Sequence, residues 1–451
     1  MRRQRSRSLA VILSAAALSV SVAACTSGGT ADAPASALAD PTAHAATTID
    51  VWSFTKLPNE VAAFKASFDD LRAQYPWLTV NFVPNKDDAA FAKAVAAGAP
   101  PDVFIADSSD NLGKFCFDGT VLDVGPYLAA AKIDPATTFP AATLGYTRFD
   151  DKQCGLPLLT DVFALYYNKK LFAEAGISGP PKTLSELTAD AKKLTVKASD
   201  GTVKRFGFVP RWDFNLNRSL YGGQFSGTRF YDDAGRTTLG SDPSWAQLLA
   251  WDRELIDYYG APQVQTFVGT YNAHTDDANN AFATGKVAMD FNGEWHIGEL
   301  AEQAPSLDYG IAAFPVLDPA AATYGGGVAG GTVIYLPSRG KHLQEAFFAA
   351  KQLATDTAFL HKLAGLVSNV PTTFDALSSW DQRSDPHWAA MMDVFTKTKV
   401  LGKPTSASGT EGSLPWDTLI QDYEAGRTPD LPAALKQVGA KIDAIDAQAR
   451  R

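Results

Sequence analysis

The sequence is poor in the residues that build metal and redox centres. It has three cysteines, four methionines and six histidines among 451 residues, and no Cys-x-x-Cys motif. No two histidines have the spacing of metal ligands, so we expect no metal site. The histidines are scattered along the chain at His44, His274, His296, His342, His361 and His387. The glycine-rich run around Gly326 lacks a following Lys-Ser or Lys-Thr pair, which excludes a phosphate-binding loop, and we expect no cofactor.

Positive charge and long apolar runs are also scarce. Lys and Arg total 40 against 49 Asp and Glu, and the net charge of -9 argues against a nucleic-acid partner. Beyond the amino-terminal segment, no stretch is apolar enough to cross a bilayer. The length and the 46% hydrophobic content are sufficient for large cores in two or more domains.

The amino terminus predicts a secretory signal over residues 1–24, with four arginines, an apolar run and then small residues. Val22-Ala23-Ala24-Cys25 resembles the bacterial lipobox, in which the cysteine is lipidated and becomes the first residue of the mature protein. We therefore expect lipidation at Cys25, a flexible tether over residues 25–47 and a location on the outer face of the cell membrane. The alternative is a soluble secreted protein that is cut nearby.

The two other cysteines are Cys116 and Cys154. If Cys25 carries lipid, an oxidising exterior favours a disulfide between these two. Closing this interval of 38 residues would contribute about 4 kcal/mol in the chain-entropy model. The alternative is a pair of inert buried thiols.

Strand and helix patterns alternate in the first part of the chain. The apolar residues Val61, Phe64, Phe68 and Leu71 have helical spacing, and short apolar or alternating runs precede and follow them. Strand, helix, strand, helix, strand predicts a parallel sheet with helices on its faces. The five predicted elements are a strand at Ile49–Phe54, a helix around Val61–Leu71, a strand at Leu78–Val83, a helix at Asp87–Ala97 and a strand at Asp102–Asp107.

Further elements follow the same reasoning. Thr183 and Glu186 form a capping box at a helix start, and Asp242-Pro243 begins another helix. The remaining predictions are a long extended run at Gly155–Asn168, a helix at Lys170–Ala175, and strands at Phe206–Val209, Tyr309–Pro315 and Thr332–Leu336, then a helix at Lys341–Leu353.

The stretch Ala281–Leu300 changes structure several times. Ala281–Ala283 is typical of a helix end, and Gly285 of a helix stop. Val287–Phe291 predicts a buried strand, after which Glu294 and Trp295 open the next helix. An aromatic just past a strand lies where open α/β sheets bind ligands. The alternative is that Trp295 packs in the core, as aromatic residues commonly do.

The order of these motifs resembles the extracellular solute-binding proteins of bacterial ABC importers, in the group that includes maltose-binding and other sugar-binding proteins. The likeness runs over nearly all of residues 48–451, although the family more often has Trp where this chain has Leu184. The matching segments are the lipobox, Ile49–Phe54, Pro101–Phe104, Leu156-Pro157 with Tyr166–Phe172, Pro181–Leu187, Gly285–Met289 with Gly293–Trp295, Gly310–Pro315 and Lys341–Phe348.

The resemblance implies an α/β, two-lobe periplasmic-binding-protein fold of type II. Each lobe is a sheet flanked by helices, and the ligand lies in a cleft that closes about hinge crossovers. Residues 48–158 and 329–372 would form lobe 1, and residues 159–328 and 373–451 lobe 2. The protein would be a monomer that delivers its solute to the permease subunits of an ABC transporter.

The resemblance also implies three stacking aromatics. Trp295 matches the family's cleft tryptophan, Trp212 follows a strand-ending proline, and Trp416 matches an aromatic near the carboxyl end. Sugars have flat C–H faces that aromatic rings can cover while their hydroxyl rims stay free for hydrogen bonds. The alternative is that one or two of these rings pack inside a lobe.

Polar candidates accompany the aromatics. Asp161 matches an acidic residue at the crossover and could accept two sugar hydroxyls, or it could act in the hinge or as a cap. The other candidates follow predicted strands or flank the aromatics, and each could instead be an ordinary loop residue. They are Asp107, Lys56, Arg211, Glu294 and Gly327, the last of which would bring backbone close to the ligand.

These features favour a carbohydrate-binding protein that is not an enzyme. Two alternatives stay open for the solute and the chemistry. Arg211 or Arg218 could clamp an anion in a non-sugar binder of the same fold. A secreted glycoside hydrolase would need two carboxyls flanking the scissile bond, and the sequence shows no recognisable catalytic pattern. An adhesive or sensory lipoprotein is a further alternative.

Overall fold

A computed structural model describes residues 44–211, 229–271, 279–396, 400–402 and 404–451. The amino-terminal signal, Cys25 and most of the expected tether lie outside these ranges. No helix in the residues that the structure describes is long and apolar enough to span a bilayer.

The first part of the chain forms the predicted parallel α/β unit. Strand β1 pairs in parallel with both β2 and β3, and the intervening helices cover the sheet. Helix α1 buries Phe64, Phe68 and Leu71, as their spacing predicts. The elements are β1 (Thr47–Ser53), α1 (Pro58–Gln74), β2 (Leu78–Val83), α2 (Asp88–Ala96) and β3 (Val103–Ala106).

A run of short elements follows and is held by the predicted disulfide. Cys116 and Cys154 are bonded, with their Cα atoms 5.6 Å apart. Both are buried beside Phe115 and Tyr335, so the bond joins the first of these helices to the chain just before the next long strand. The elements are α3 (Leu112–Phe117), α4 (Gly125–Ala130), α5 (Pro135–Thr138), α6 (Ala141–Gly145), β4 (Arg148–Phe149) and β5 (Lys152–Gln153).

One long strand connects the two halves of a nine-stranded sheet. This strand, β6 (Leu156–Asn168), is the predicted extended run. From Leu156 to Phe163 it pairs antiparallel with β11, and from Phe163 onward it pairs with β9 and β10. Strand β11 also pairs with β3, so the sheet is continuous. The partner strands are β9 (Met289–Gly293), β10 (Tyr309–Ala312), β11 (Val328–Tyr335), β12 (Val370–Pro371) and β13 (Leu401–Gly402).

The remaining helices pack around the sheet, and two long helices end the chain. Thr183 caps its helix as predicted, since its hydroxyl accepts from Glu186 N at 3.2 Å. The remaining elements are α7 (Lys169–Glu174), α8 (Leu184–Leu194), β7 (Val196–Lys197), β8 (Val203–Arg205), α9 (Ser244–Tyr259), α10 (Ala261–Val268), α11 (Trp295–Gln303), α12 (Leu343–Thr355), α13 (Thr357–Val367), α14 (Phe374–Ser379), α15 (Pro386–Thr396), α16 (Thr410–Glu424) and α17 (Leu431–Ala449), with two 3-10 turns at Asp318–Thr323 and Asp381–Ser384.

Several local predictions differ from the structure. The strand predicted at Tyr309–Pro315 ends at Ala312, and the strand predicted at Thr332–Leu336 begins at Val328. Phe206–Val209 makes one isolated bridge, from Phe206 to Val287, rather than a strand. Ala281–Ala283 lies in turns rather than in a helix. Strand β9 begins at Met289, two residues later than predicted. The runs at Phe206–Val209 and Val287-Ala288 are short and fully buried, and such a run does not distinguish a strand from other buried backbone.

Candidate functional site

Trp295 occupies the turn between β9 and α11. It is the first residue of α11 and is partly exposed. Its ring lies over Gly293, where a Cβ would come within 2.2 Å of ring atom Cζ3. The ring also contacts Phe163 edge-to-face, with centroids 5.4 Å apart. Because Gly293 has no side chain, the Trp295 ring can lie against its backbone, and Phe163 contacts the ring from a second direction. Part of the ring surface stays exposed.

Two hydrogen bonds tie this turn to β6. The Tyr166 hydroxyl donates to the Gly293 carbonyl at 2.7 Å. Glu294 Oε2 accepts from Val162 N at 2.6 Å, and the Glu294 side chain is fully buried. Burial raises the pKa of Glu294 well above its ordinary value, and the charge of Asp161 raises it further. Glu294 thus anchors the turn and, in this conformation, presents no surface to a solute.

Asp161 lies on β6 two residues before Phe163. It stands opposite Gly330 of β11, is partly exposed, and its Oδ1 accepts from Asn369 Nδ2 at 2.9 Å. Desolvation raises the pKa of Asp161 to about 7; the Asn369 hydrogen bond opposes this, and the charge of Asp107 adds to it. The carboxyl is therefore near its titration point at neutral pH and can accept or donate a hydrogen bond.

The segments that follow β1 and β3 add charged side chains near Asp161 and Glu294. Asp107 directly follows β3 and is exposed, and Lys56 is exposed in the segment that follows β1. Glu60, in the first turn of α1, has its pKa raised mainly by burial and then by the charge of Asp107. Because β1 and β3 are parallel neighbours, their carboxyl ends meet at one edge of the sheet. Sequence reasoning identified Asp107 and Lys56 but missed Glu60.

Glycines of β11 and the chain before it differ in what surrounds them. A Cβ on Gly327 would lie 2.7 Å from Val394 Cγ1 and 3.1 Å from the Phe163 carbonyl oxygen, so Gly327 allows close packing of the protein on itself. At Gly330, opposite Asp161, a Cβ would have no neighbour within 4 Å. The open glycine is therefore Gly330 and not the predicted Gly327.

Arg211 is engaged with the protein. Its Nε lies 2.8 Å from Glu424 Oε2, and its Nη1 donates to Gln265 Oε1 at 3.2 Å. Glu424 is buried at the end of α16. Arg211 thus connects α10 to α16 in this conformation, which differs from the predicted contact with solute. Its neighbour Trp212 and the alternative anion clamp Arg218 lie outside the described residues.

Trp416 lies in the hydrophobic core. It is 1% exposed and packs edge-to-face on Trp245, with centroids 5.3 Å apart, and on Phe230 at 6.1 Å. Pro415 and Trp416 are inside α16, which turns this face of the helix inward. The expectation that Trp416 joins a stacking wall is corrected here, because a fully buried ring offers no face to a solute.

The assembled site combines an aromatic face with acidic hydrogen-bonding groups. Trp295 supplies the apolar face, Asp161 supplies carboxyl oxygens from within β6, and Asp107 supplies them just after the end of β3. Such a mixture suits a small polyhydroxylated molecule with one flat apolar side. Within the described residues, no group of three or more His, Cys, Asp and Glu side chains could hold a metal ion.

Comparison with known proteins also points to the binding of a solute. The family model for bacterial extracellular solute-binding proteins matches residues 56–356. The chain belongs to this family. Membership confirms the predicted family, which is a family of solute-binding proteins. The two-lobe α/β fold is confirmed as well, since the solved structures that resemble the chain have that fold.

Several relatives of the family are similar in sequence. A putative binding protein of Brucella abortus (strain 2308) is 31% identical over 273 residues, which is 60% of this chain and 63% of the relative. The chain thus matches somewhat less than two thirds of that relative's length. The maltodextrin-binding protein MdxE of Bacillus subtilis (strain 168) is 25% identical over 343 residues, covering 73% of this chain and 74% of the relative.

Solved structures extend the likeness over most of the chain. The structure of CpMnBP1 with mannotriose bound is 26% identical, with a TM-score of 0.75, and the match covers 88% of this chain and 100% of that one. The sugar-binding protein MalE of Xanthomonas citri has a TM-score of 0.72 at 20% identity, covering 90% of this chain and 98% of the other. The second likeness shows the fold alone.

Proposed function

We propose that this protein is the extracytoplasmic substrate-binding component of an ABC importer and that it captures a carbohydrate. The observation that carries the proposal is the partly exposed Trp295 ring, which is held over Gly293. Gly293 pairs with Phe163 of β6, and Asp161 lies two residues before Phe163. The sugar-binding relatives support it, since MdxE is a maltodextrin-binding protein and CpMnBP1 holds mannotriose.

The binding mechanism uses two kinds of contact. The C–H face of one sugar ring stacks on Trp295, and hydroxyls of the sugar donate to Asp161 and Asp107. Strands β6 and β11 act as crossovers between lobe 1 (48–158 and 329–372) and lobe 2 (159–328 and 373–451). Ligand shifts the population toward a closed state because contacts from both lobes form only there. Small-angle X-ray scattering should show a smaller radius of gyration with ligand bound.

A thermal-shift panel tests the ligand class. Mannobiose, mannotriose, maltodextrins and monosaccharides are compared with amino acids and polyamines of equal concentration. A carbohydrate should raise the melting temperature, because a ligand that binds only the native state stabilises it. If no carbohydrate shifts the melting temperature and a charged solute does, the same-fold binder of a non-sugar solute replaces this proposal.

The hydrolase alternative has a direct test. The carbohydrate that gives the largest shift is incubated with the protein and analysed by chromatography over hours. An unchanged carbohydrate is the expected result. Appearance of shorter products would require two carboxyls flanking the bond and would revive the glycoside hydrolase.

The cellular part of the proposal concerns Cys25. Lipidation of this residue would hold the protein, as a monomer, on the outer face of the membrane, close to the permease subunits that receive the solute. Labelling of cells with palmitate should mark the wild type and not Cys25→Ser, and the variant should move to the medium. Label that persists in Cys25→Ser would place the lipid elsewhere. Co-purification of permease subunits with the detergent-solubilised wild type tests the partner.

A further inference from the structure

Glu294 has contacts that a solute-binding side chain would not have. It is 0% exposed, so a solute beside Trp295 cannot reach its carboxyl. Oε2 accepts from Val162 N at 2.6 Å, and Oε1 has no hydrogen-bond partner among the described residues. Trp295 is carried by the turn after β9, and Glu294 connects this turn to the middle of β6.

The two carboxyls of this region are close in the structure. The amide that Glu294 binds belongs to the residue after Asp161, and the charge of Asp161 raises the pKa of Glu294. Both groups already have raised pKa values because they are poorly solvated. Two like charges in such surroundings are costly, so the pair loses its protons in separate steps.

Four described side chains beside this pair carry no positive charge. Asn369 donates to Asp161, and Asp107 adds a negative charge near it. Tyr146 directly follows α6, and its hydroxyl lies 3.2 Å from both the Leu159 carbonyl and Thr160 Oγ1; burial raises the Tyr146 pKa above its ordinary value. Tyr166 from β6 also has a raised pKa, mainly through burial. Each of these groups is neutral or acidic at neutral pH.

We propose that Glu294 is a positioning residue that keeps its proton in the native protein, with Asp161 as the partner that ionises first, and that neutral Glu294 holds the Trp295 turn against β6. The proposal rests on the proposed function only where it concerns solute affinity. A neutral carboxyl still accepts from Val162 N through Oε2 and is not repelled by an ionised Asp161. When Glu294 ionises at higher pH, repulsion from Asp161 loosens the turn and affinity falls.

The first experiment needs no solute. Wild type, Glu294→Gln and Glu294→Ala are compared by infrared spectroscopy at neutral pH and by thermal unfolding. Wild type should show a protonated-carboxyl absorption, and Glu294→Gln should lose the part of it that belongs to Glu294. Glu294→Gln should unfold near wild type while Glu294→Ala unfolds at a clearly lower temperature. Asp290→Asn is the matched control, because Asp290 is also buried with a raised pKa and should account for a separate part of the absorption. No loss of absorption in Glu294→Gln, or equal destabilisation in both variants, overturns the proposal.

The second experiment measures affinity for mannotriose by calorimetry from about pH 7 to about pH 9, above the ordinary range of carboxyls. Wild-type affinity should fall as pH rises, and Glu294→Gln should restore a flat profile at the wild-type level. Glu294→Ala should lose on the order of tenfold at every pH, as when a buried donor is left unsatisfied. In Asp161→Asn the fall of affinity with pH should be largely lost, because the charge that repels an ionised Glu294 is gone. A wild-type slope that persists in Glu294→Gln contradicts the role of Glu294.

The two experiments separate the two proposals. If mannotriose and the other carbohydrates fail to bind, the proposed function fails, while the infrared and unfolding results still decide the state of Glu294. If carbohydrates bind and the infrared absorption shows an ionised Glu294, only the positioning proposal is overturned.

Discussion

Trp295 and Trp416 are the same residue type in two very different regions. Trp295 begins α11 with one side on Gly293 and Phe163 and part of its ring exposed. Trp416 lies inside α16 and is enclosed by Trp245 and Phe230. One ring is supported on one side only and the other is surrounded. An aromatic ring can therefore act as a binding surface when the protein packs against one of its faces and leaves the other open.

The largest expected effect is that of Trp416→Ala. It removes a large buried ring, and by analogy with other core truncations it should lower the free energy of unfolding by about 3 to 5 kcal/mol. Urea unfolding followed by circular dichroism measures this. A loss of affinity with unchanged stability would contradict the assignment of Trp416 to the core and place it in the binding site.

Trp295→Ala is the matched substitution in the other region. Affinity for the carbohydrate found by thermal shift should fall by about 2 kcal/mol, roughly thirtyfold, as at an aromatic hot spot. Stability should change less than in Trp416→Ala, because part of the ring is already in water. Calorimetry and urea unfolding are applied to both variants. Trp295→Ala should lose mainly affinity, and Trp416→Ala should lose mainly stability. Unchanged affinity with a large loss of stability would return Trp295 to the core.

Gly293→Ala tests the support under the ring. Its Cβ would meet Trp295 Cζ3 at 2.2 Å, so the ring must move, and overpacking of this kind costs about 1 to 3 kcal/mol. Both affinity and stability should fall. The control is Gly330→Ala, where the new methyl group enters open space opposite Asp161 and should leave stability near wild type. Equal destabilisation by the two variants would show that the Trp295 ring does not rest on Gly293.

The smallest expected effect is in the pH dependence of stability at Asp161. Its pKa is raised to about 7, so the native state holds this proton more tightly than the unfolded chain does. The resulting stabilisation is complete below the ordinary aspartate pKa and disappears as pH rises through about 7. The melting temperature of wild type, relative to Asp161→Asn, should therefore fall by a few degrees between acidic and neutral pH. A relative rise would indicate a lowered pKa.

Local patterns predicted most of the fold. The alternation from β1 to β3, the long run of β6 and the Thr183 cap all depend on residues that are neighbours in sequence. Such patterns report which face of an element is apolar. They failed at Phe206–Val209, where the whole run is buried and periodicity is lost.

The candidate site was only partly predictable. Trp295, Asp161 and Asp107 follow strands or a crossover, and their positions could be inferred from the order of motifs. Gly330 and Asn369 were missed because their importance comes from lying beside Asp161, a residue distant in sequence. Arg211 was assigned to the solute because its pairing with Glu424 spans two remote segments.

The fold class, the family and the location of the turn that carries Trp295 can all be inferred from the amino-acid sequence. Hydrophobic spacing, capping residues and motif order are properties of contiguous chain, and they are sufficient for these conclusions. The three-dimensional fold is needed to show which tryptophan keeps an open face, which glycine borders free space and which carboxyl is fully buried. Burial depends on what distant segments bring against a side chain, and the same burial raises the pKa of Glu294 and places Trp416 in the core.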